Sequence, residues 1–175
     1  STSNDYQGVN SYSFQSARSG GDDVVVGKVG VNGNLVWSTY LGGSFADEPF
    51  RVNSDGAGNI YVGGITYSSN FPTVAAVQAS SGGSGDGFIT KLSSSGSVLW
   101  STYVGGSGKD QVFEVVADNN GSIYVVGSTE SSNFSGAYRS INLSPSELRR
   151  IPPSPLTASV TRCPVICSGY VIPLG

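Results

Sequence analysis

The sequence predicts an all-β protein made of β-propeller blades, with about two full blades, partial ends and an irregular C-terminal tail. Three observations lead to this prediction. The 175-residue chain contains an internal repeat, in which Trp37 returns as Trp100, 63 positions later. Each copy contains four short segments rich in β-branched and aromatic residues, which favour strands. Turn residues separate these segments, so neighbouring strands are expected to form antiparallel meanders.

The repeat extends well beyond the tryptophan. Residues 22–72 and 85–135 share 24 identities in 51 aligned positions without a gap. A register that keeps the aromatic residues in place over this length is not expected from chance similarity. A partial earlier copy is indicated at the start of the chain, because Gln15 stands 63 positions before Gln78.

Each copy is predicted to form four strands. In the first copy they are Val24–Val29, Leu35–Leu41, Phe50–Ser54 and Ile60–Ile65. In the second copy they are Phe88–Leu92, Val98–Val104, Val112–Ala117 and Ile123–Gly127. The turns between them contain Gly and Asn, which tolerate the positive φ that tight hairpins need.

Several predicted strands carry apolar residues on both faces, as in residues 24–26 and 123–126. An antiparallel sheet with one face in water would alternate apolar and polar residues. The pattern therefore indicates sheets that are covered on both sides, as in propeller blades stacked face to face. A β-sandwich built by duplication, or a solenoid, is the alternative.

Two motifs of the second copy are specific. One is Asp-Gly-Phe-Ile-Thr-Lys-Leu at 86–92, and the other is Trp-Ser-Thr-Tyr-Val-Gly-Gly-Ser at 100–107, which the first copy matches at 37–44. With these motifs the repeat resembles the SBBP beta-propeller repeat family of bacterial and archaeal surface and secreted proteins. The resemblance covers about residues 20–136. It implies a propeller of several blades, and it implies no catalytic residues.

The repeat and the composition divide the chain into four parts. These are a partial repeat or N-terminal strand at 1–22, blade repeats at 23–85 and 86–136, and a Pro-rich irregular tail or linker at 137–175. The tail holds six of the eight Pro residues and carries a net charge of +3, against −6 for the rest. It is interpreted as a linker or cap, as a segment that docks on the acidic body, or as an out-of-frame terminus.

Two blades are too few for a closed ring, since closed propellers have about 4–8 blades. A bare blade face with roughly 600 Å² of apolar surface would forgo about 15 kcal/mol of burial at ~25 cal/mol/Å². We therefore expect a fragment of a longer propeller, several chains that complete a ring, or ends that cap the stack. The chain shows no signal peptide and no apolar run long enough to span a membrane.

Candidate site residues are few. Cys163 and Cys167 could form a local disulfide in an oxidising compartment, or remain free thiols. Asp47 and Asp110 follow the Gly-Gly-Ser turn in both copies and are weak candidates for ligand contact, although a structural role in the turn is favoured. Tyr67 is a candidate for binding from an exposed, Ser-rich loop. Mid-strand Trp and Tyr residues could stack on sugars, but core packing is favoured.

Composition restricts the function. The sequence has no His, which removes the commonest general base and metal ligand, and no cofactor or metal site is predicted. The net charge of −3 argues against nucleic-acid binding. We expect a non-catalytic, extracellular or cell-surface propeller module that contacts proteins or associates with itself and does not insert into membranes. The alternatives are an oligomeric lectin that binds glycans and, less favoured, a hydrolase that uses the carboxylates Asp47, Glu48, Asp110 and Glu114.

Overall fold

The computed structural model describes residues 13–118, 121–134 and 169–172. Within these residues the chain forms nine strands: β1 (Val24–Val29), β2 (Leu35–Leu41), β3 (Asp47–Ser54), β4 (Ile60–Thr66), β5 (Asp86–Leu92), β6 (Val98–Val104), β7 (Asp110–Ala117), β8 (Ile123–Thr129) and β9 (Gly169–Ile172). The all-β class predicted from the sequence is confirmed.

The strands form three antiparallel sheets. The first sheet contains β1 and β2, the second has the order β3-β4-β5-β6, and the third has the order β7-β8-β9. The predicted strands are found, and β3 and β7 begin a few residues earlier than expected. Their first residues pair with the last residues of the neighbouring strands, Asp47 with Thr66 and Asp110 with Thr129.

The sheets do not begin and end where the predicted repeat units begin and end. The four-stranded sheet takes β3 and β4 from residues 23–85 and β5 and β6 from residues 86–136, and β4 pairs with β5 along all seven residues. The Gly-rich segment at 81–85 therefore belongs to the connection between β4 and β5, two neighbouring strands of one sheet. A repeat fixes the period of a fold but not the position at which each sheet begins.

Glycines form the hairpin turns, as the sequence predicts. The four turns between β1 and β2, β3 and β4, β5 and β6, and β7 and β8 each contain a glycine with φ between 79° and 90°: Gly33, Gly58, Gly96 and Gly121. A side chain at this φ would be strained, so glycine is required there.

The middle sheet is covered on both faces. On one side Val62 of β4 and Phe88 of β5 pack in a core with Val24, Val26 and Leu41 of the first sheet. On the opposite side Tyr61 and Ile89, the neighbours of these residues in the chain, pack in a second core with Val112, Val115, Ile123 and Val125 of the third sheet. Successive strand residues point to opposite faces, so β4 and β5 must be apolar on both. The predicted face-to-face stacking of sheets is confirmed.

The long connection between β4 and β5 protects the outer edge of the middle sheet. Val74 exchanges two backbone hydrogen bonds with Ser101 of β6, and the Tyr103 amide donates to the Gln78 carbonyl. Gln15 does the same for β2, since its carbonyl accepts from the Tyr40 amide at 3.0 Å. Gln15 therefore makes the contact that its repeat counterpart Gln78 makes, and it covers an edge strand that would otherwise be open.

Strand β9 lies in the segment that the sequence assigns to an irregular tail. Its backbone pairs with Ile123 to Val126 of β8 in antiparallel register. Pro residues oppose central strands, which is why the tail appeared irregular, but residues 169–172 themselves contain none. Cys163 and Cys167 lie outside the described residues, so the possible disulfide stays a prediction.

Truncating Phe88 tests the two-sided core. Phe88 is fully buried between the first and second sheets, with its ring centroid 4.6 Å from that of Phe71. We expect Phe88→Ala to lower the free energy of unfolding by about 3–5 kcal/mol because it leaves a cavity. Phe45→Ala, at an exposed ring, should change it by less than about 0.5 kcal/mol. Urea denaturation measures both, and equal losses would contradict this core.

Candidate functional site

A buried aspartate organises the loop that follows β2 and its equivalent after β6. Asp47 Oδ2 accepts hydrogen bonds from the Gly43 amide at 2.7 Å and from the Ser68 hydroxyl at 3.0 Å, and its Oδ1 accepts from the Thr66 hydroxyl. Asp110 repeats the arrangement, with the Gly106 amide and the Ser131 hydroxyl as donors to Oδ2. The carboxylates thus tie one strand end to the next loop.

The structure places these two sequence candidates inside the protein. Both residues are almost fully buried, and each bonds to the loop before its own strand and to the loop after the next strand. This is the turn role that the sequence favoured. A ligand in solution could reach neither carboxylate without displacing the loop, so the structure offers no support for direct binding by these two residues.

A second pair of buried aspartates stands beside the first. Asp23 directly precedes β1 and Asp86 begins β5, and each accepts a backbone amide through Oδ2, from Ser19 at 2.9 Å and from Gly82 at 2.8 Å. A Cβ on Gly105 would lie 2.0 Å from Asp86 Oδ1 and 2.8 Å from Asp110 Oδ2. Two carboxylates therefore face one glycine, and the glycine is what makes room for them.

Burial controls the charge of Asp47 and Asp23. Desolvation raises the pKa of Asp47 above its ordinary value of 3.8, and the hydrogen bonds from Thr66, Gly43 and Ser68 offset only part of that effect. Burial also raises the pKa of Asp23, against the opposing hydrogen bond from Ser19. The negative charge of Asp23 raises the pKa of Asp47 a little further, because two like charges disfavour each other.

The aromatic candidates belong mainly to the cores. Tyr40 and Tyr103 are buried, and the Tyr103 hydroxyl accepts from the Phe71 amide at 2.8 Å and donates to the Ser68 carbonyl at 2.7 Å. Trp37 and Trp100 are half-buried. The Trp100 ring lies edge-on to Tyr61 with the centroids 6.4 Å apart. These rings do not form an exposed stacking platform.

Tyr67 is the exposed member of the predicted set, with 39% of its surface accessible. Its backbone amide donates to the Ala46 carbonyl at 3.0 Å, and its ring lies against the backbone of Gly85. It is held on a fixed loop, and its contact with a ligand stays a prediction.

The acid Glu114 forms an ion pair with Arg51 at 3.1 Å, which occupies the carboxylate proposed for hydrolysis.

The candidate residues chosen from the sequence do not include the most distinctive feature of the structure. In the described part of the chain, the two outer sheets are incomplete. Tyr124 of β8 is 44% exposed, whereas its counterpart in the middle sheet, Tyr61, is 1% exposed. Val29 of β1 is 63% exposed, whereas its counterpart Leu92 is fully buried. The same kind of residue at the same repeat position is therefore buried only where a neighbouring sheet or strand exists.

An apolar cleft of about 330 Å³ lies beside the first sheet. Strands β1, β3 and β4 line it, with Val24, Val26, Pro49, Val52 and Val62 among the residues. Val52 is 66% exposed there, whereas its repeat counterpart Val115 is fully buried against the middle sheet. The sequence would have revealed these exposed positions if the residue at which each sheet begins had been known. The 63-residue offset then identifies, for each exposed residue, the neighbour that its buried counterpart has.

A family model for the SBBP beta-propeller repeat matches residues 36–72 and 99–135. Two segments of this chain are therefore similar to the SBBP beta-propeller repeat. Each matched SBBP segment begins on the last strand of one sheet and ends beyond the second strand of the next. The match therefore follows the sequence period and crosses from one sheet to its neighbour.

This chain is also 30% identical over 107 residues to an uncharacterized WD repeat-containing protein, L264, of Acanthamoeba polyphaga mimivirus. The similar region covers 57% of this chain and 8% of that protein, so the chain spans a small part of its relative's length. In the described part of the chain, no three His, Cys, Asp or Glu residues are grouped to hold a metal ion. No helix among those residues is long and apolar enough to cross a membrane.

Filling the space at Gly105 tests the role of the aspartate pair. We expect Gly105→Ala to lower the free energy of unfolding by about 1–3 kcal/mol, because the added methyl group collides with two carboxylates. Gly27→Ala is the control, since its nearest new neighbours are 3.5 Å away. Urea denaturation compares the two, and equal stabilities would contradict the close approach of the carboxylates.

The raised pKa of Asp47 predicts the sign of a pH effect. Because the folded state holds the proton more tightly than the unfolded state, the free energy of unfolding should fall as pH rises from 3.8 through the folded pKa. Asp47→Asn should make this decline shallower, when measured by urea denaturation between about pH 3 and pH 7.

Asp55→Asn is the matched control for that experiment. Hydrogen bonds, chiefly from the Asn59 side chain, lower the pKa of Asp55 below 3.8, so its stabilising contribution is lost only as pH falls through that lower value. Asp55→Asn should therefore leave the decline in the free energy of unfolding above pH 3.8 unchanged. An unaltered decline in Asp47→Asn would show that the Asp47 carboxylate is not destabilised by burial.

Proposed function

We propose that this chain is a non-catalytic propeller-type interaction module of the cell surface or the extracellular space. It is incomplete alone, and further blades or copies of the chain complete it. The observation that carries the proposal is the pair of unfinished outer sheets on either side of a finished middle sheet. Apolar strand surface of this kind is stable in water only when something covers it.

The surface composition supports the proposed location and role. Only 12% of the residues are charged, and 25 of the 175 are Gly. The loops are rich in Ser, Thr, Gly and Asn, which suits contact through many weak polar groups rather than through a charged patch. The SBBP repeats and the similarity to a WD repeat-containing protein support an interaction role as well.

A non-catalytic role is supported by the state of the acids. Asp47 and Asp110 are buried in their loops, and Glu114 is paired with Arg51. Catalysis by two carboxylates requires both to face one substrate position. These partners leave the candidate acids with structural tasks.

Glycan binding is the second candidate function, and the exposed ring of Tyr67 is the observation that favours it.

Native mass tests the proposed function. We expect sedimentation velocity to show species heavier than the 18.0 kDa chain, in amounts that rise with protein concentration. Val52→Asp places a charge in the apolar cleft and should shift the distribution at least tenfold towards the monomer. Val31→Asp, at a fully exposed hairpin position, should not.

A compact 18.0 kDa monomer at every concentration, with little binding of an apolar dye, would contradict self-completion. A glycan array addresses the second candidate with the same sample. Binding that disappears in Tyr67→Ala while the fold is retained would favour a lectin.

A further inference from the structure

The two outer sheets are complementary halves of one blade. The 63-residue offset makes β1 and β2 the counterparts of β5 and β6, which are the third and fourth strands of the middle sheet. It makes β7 and β8 the counterparts of β3 and β4, the first and second strands. Within the described residues β1 pairs only with β2, so its other edge is where a second strand would add.

We propose that β8 of one copy pairs with β1 of a second copy of this chain, in the register that β4 and β5 use internally. The inference rests on the proposed function and names its partner. The pairing joins β7 and β8 of the first copy to β1 and β2 of the second, which makes a four-stranded sheet from two chains. Strand addition to a sheet edge is a common mode of protein recognition.

The internal pair defines the register. Tyr61 lies opposite Lys91, and Thr66 lies opposite Asp86. The equivalent pairs between copies are Tyr124 opposite Lys28 and Thr129 opposite Asp23, and all four residues keep the type of their counterparts. Inside the chain the Lys91 ammonium stands 5.1 Å from the centre of the Tyr61 ring. The pairing would give Tyr124 and Lys28, both now exposed, the same contact.

The apolar cleft lies where the proposed pairing would bring the two copies into contact. Within the chain, a Cβ built on Gly63 would lie only 2.7 Å from Val112 Cγ1 and 2.8 Å from Val115 Cγ2 of the next sheet, so the internal spacing has room for a glycine but not for a larger residue. The offset replaces Gly63 by Val126 of the first copy, and replaces Val112 and Val115 by Pro49 and Val52 of the second. Val126 and Val52 are both exposed in the single chain. The association would therefore bury both valines at a cleft that no described residue fills, with the two sheets lying further apart there than β4 and β7 do within the chain.

Charge favours this head-to-tail order. Arg51 on β3 pairs with Glu114 on β7, and these two residues occupy equivalent positions 63 apart. The proposed pairing places Glu114 of the first copy on the other side of Arg51 of the second copy. Every Arg51 would then lie between two Glu114 residues, and every Glu114 between two Arg51 residues. The sequence difference between the two repeats thus produces alternating charges along the stack.

Strand β9 occupies part of the proposed site. It pairs with four of the seven residues of β8, in the place where the third strand of a blade belongs. Its register matches that of β5 on β4, since Ile172 and Leu92 lie opposite equivalent residues. The tail strand therefore competes with β1 of the second copy. Because the contact is heterologous, repeated addition gives a closed ring when the rotation per copy divides a full turn, and about 4–8 blades correspond to two to four copies.

Cysteine cross-linking tests the register. In a Cys163→Ser, Cys167→Ser background, one sample carries Lys28→Cys and another carries Tyr124→Cys, and the two are mixed under mild oxidation. Directly opposed strand residues have Cα atoms about 4.5–5.5 Å apart, which suits a disulfide. We expect a disulfide-linked dimer in at least fivefold greater yield than when Val126→Cys replaces Tyr124→Cys.

Weakening β9 tests the competition. Val171→Pro removes a backbone amide from β9, so it should release β8 and raise the yield of the dimer severalfold. Ala158→Pro, elsewhere in the tail, is the control. If a cysteine variant does not fold, amide exchange of the unmodified chain replaces it, and exchange of β1 amides should slow as the concentration rises.

The outcomes separate this inference from the proposed function. The strand pairing would be overturned if heavier species form without a disulfide between positions 28 and 124. It would also be overturned if the two cysteine pairs give equal yields. In both cases self-association itself would stand. Unchanged β1 exchange in an associating sample would do the same. A monomer at all concentrations, also in Val171→Pro, would overturn the second copy as the partner and leave only the addition of further blades.

Discussion

The two-sided burial of β4 and β5 is the constraint on which the rest of the structure depends. Tyr61 and Val62 are neighbours in the chain, yet they belong to different cores on opposite faces of the middle sheet. The same holds for Phe88 and Ile89. Neither core is complete without a second sheet, so the middle sheet requires a neighbour on each side. A stack of sheets follows from the sequence of two strands.

The same constraint explains why the ends of the chain are the sites of interaction. The outer sheets repeat the apolar pattern of the middle sheet, but among the described residues each packs against one neighbouring sheet. The buried aspartates hold the connecting loops rigid, as when Asp110 binds the Gly106 amide and the Ser131 hydroxyl. The open edges are therefore presented by fixed elements, and rigid presentation lowers the entropic cost of association.

Much of the fold follows from the sequence alone, because the repeat aligns two copies of every strand. The hairpin glycines and the burial of Tyr103 are both predictable in this way. The position at which each sheet begins is not, since a 63-residue period can be divided into units at any point along it. The open cleft at Val52 is invisible for the same reason: a valine in a strand does not show which neighbour is absent. Strand β9 lies in a segment whose composition opposes strands, and only its pairing with β8 defines it.

Residue-resolved amide hydrogen exchange tests the central claim most directly. If the middle sheet is covered on both faces, the ladder amides of β4 and β5 exchange only through global unfolding, with protection equal to the full free energy of unfolding. Amides of β8 beyond Val126, where no described strand pairs on the outer side, should exchange faster at low concentration. Exchange of β4 and β5 amides as fast as those at the edges of the outer sheets would contradict the stacked arrangement.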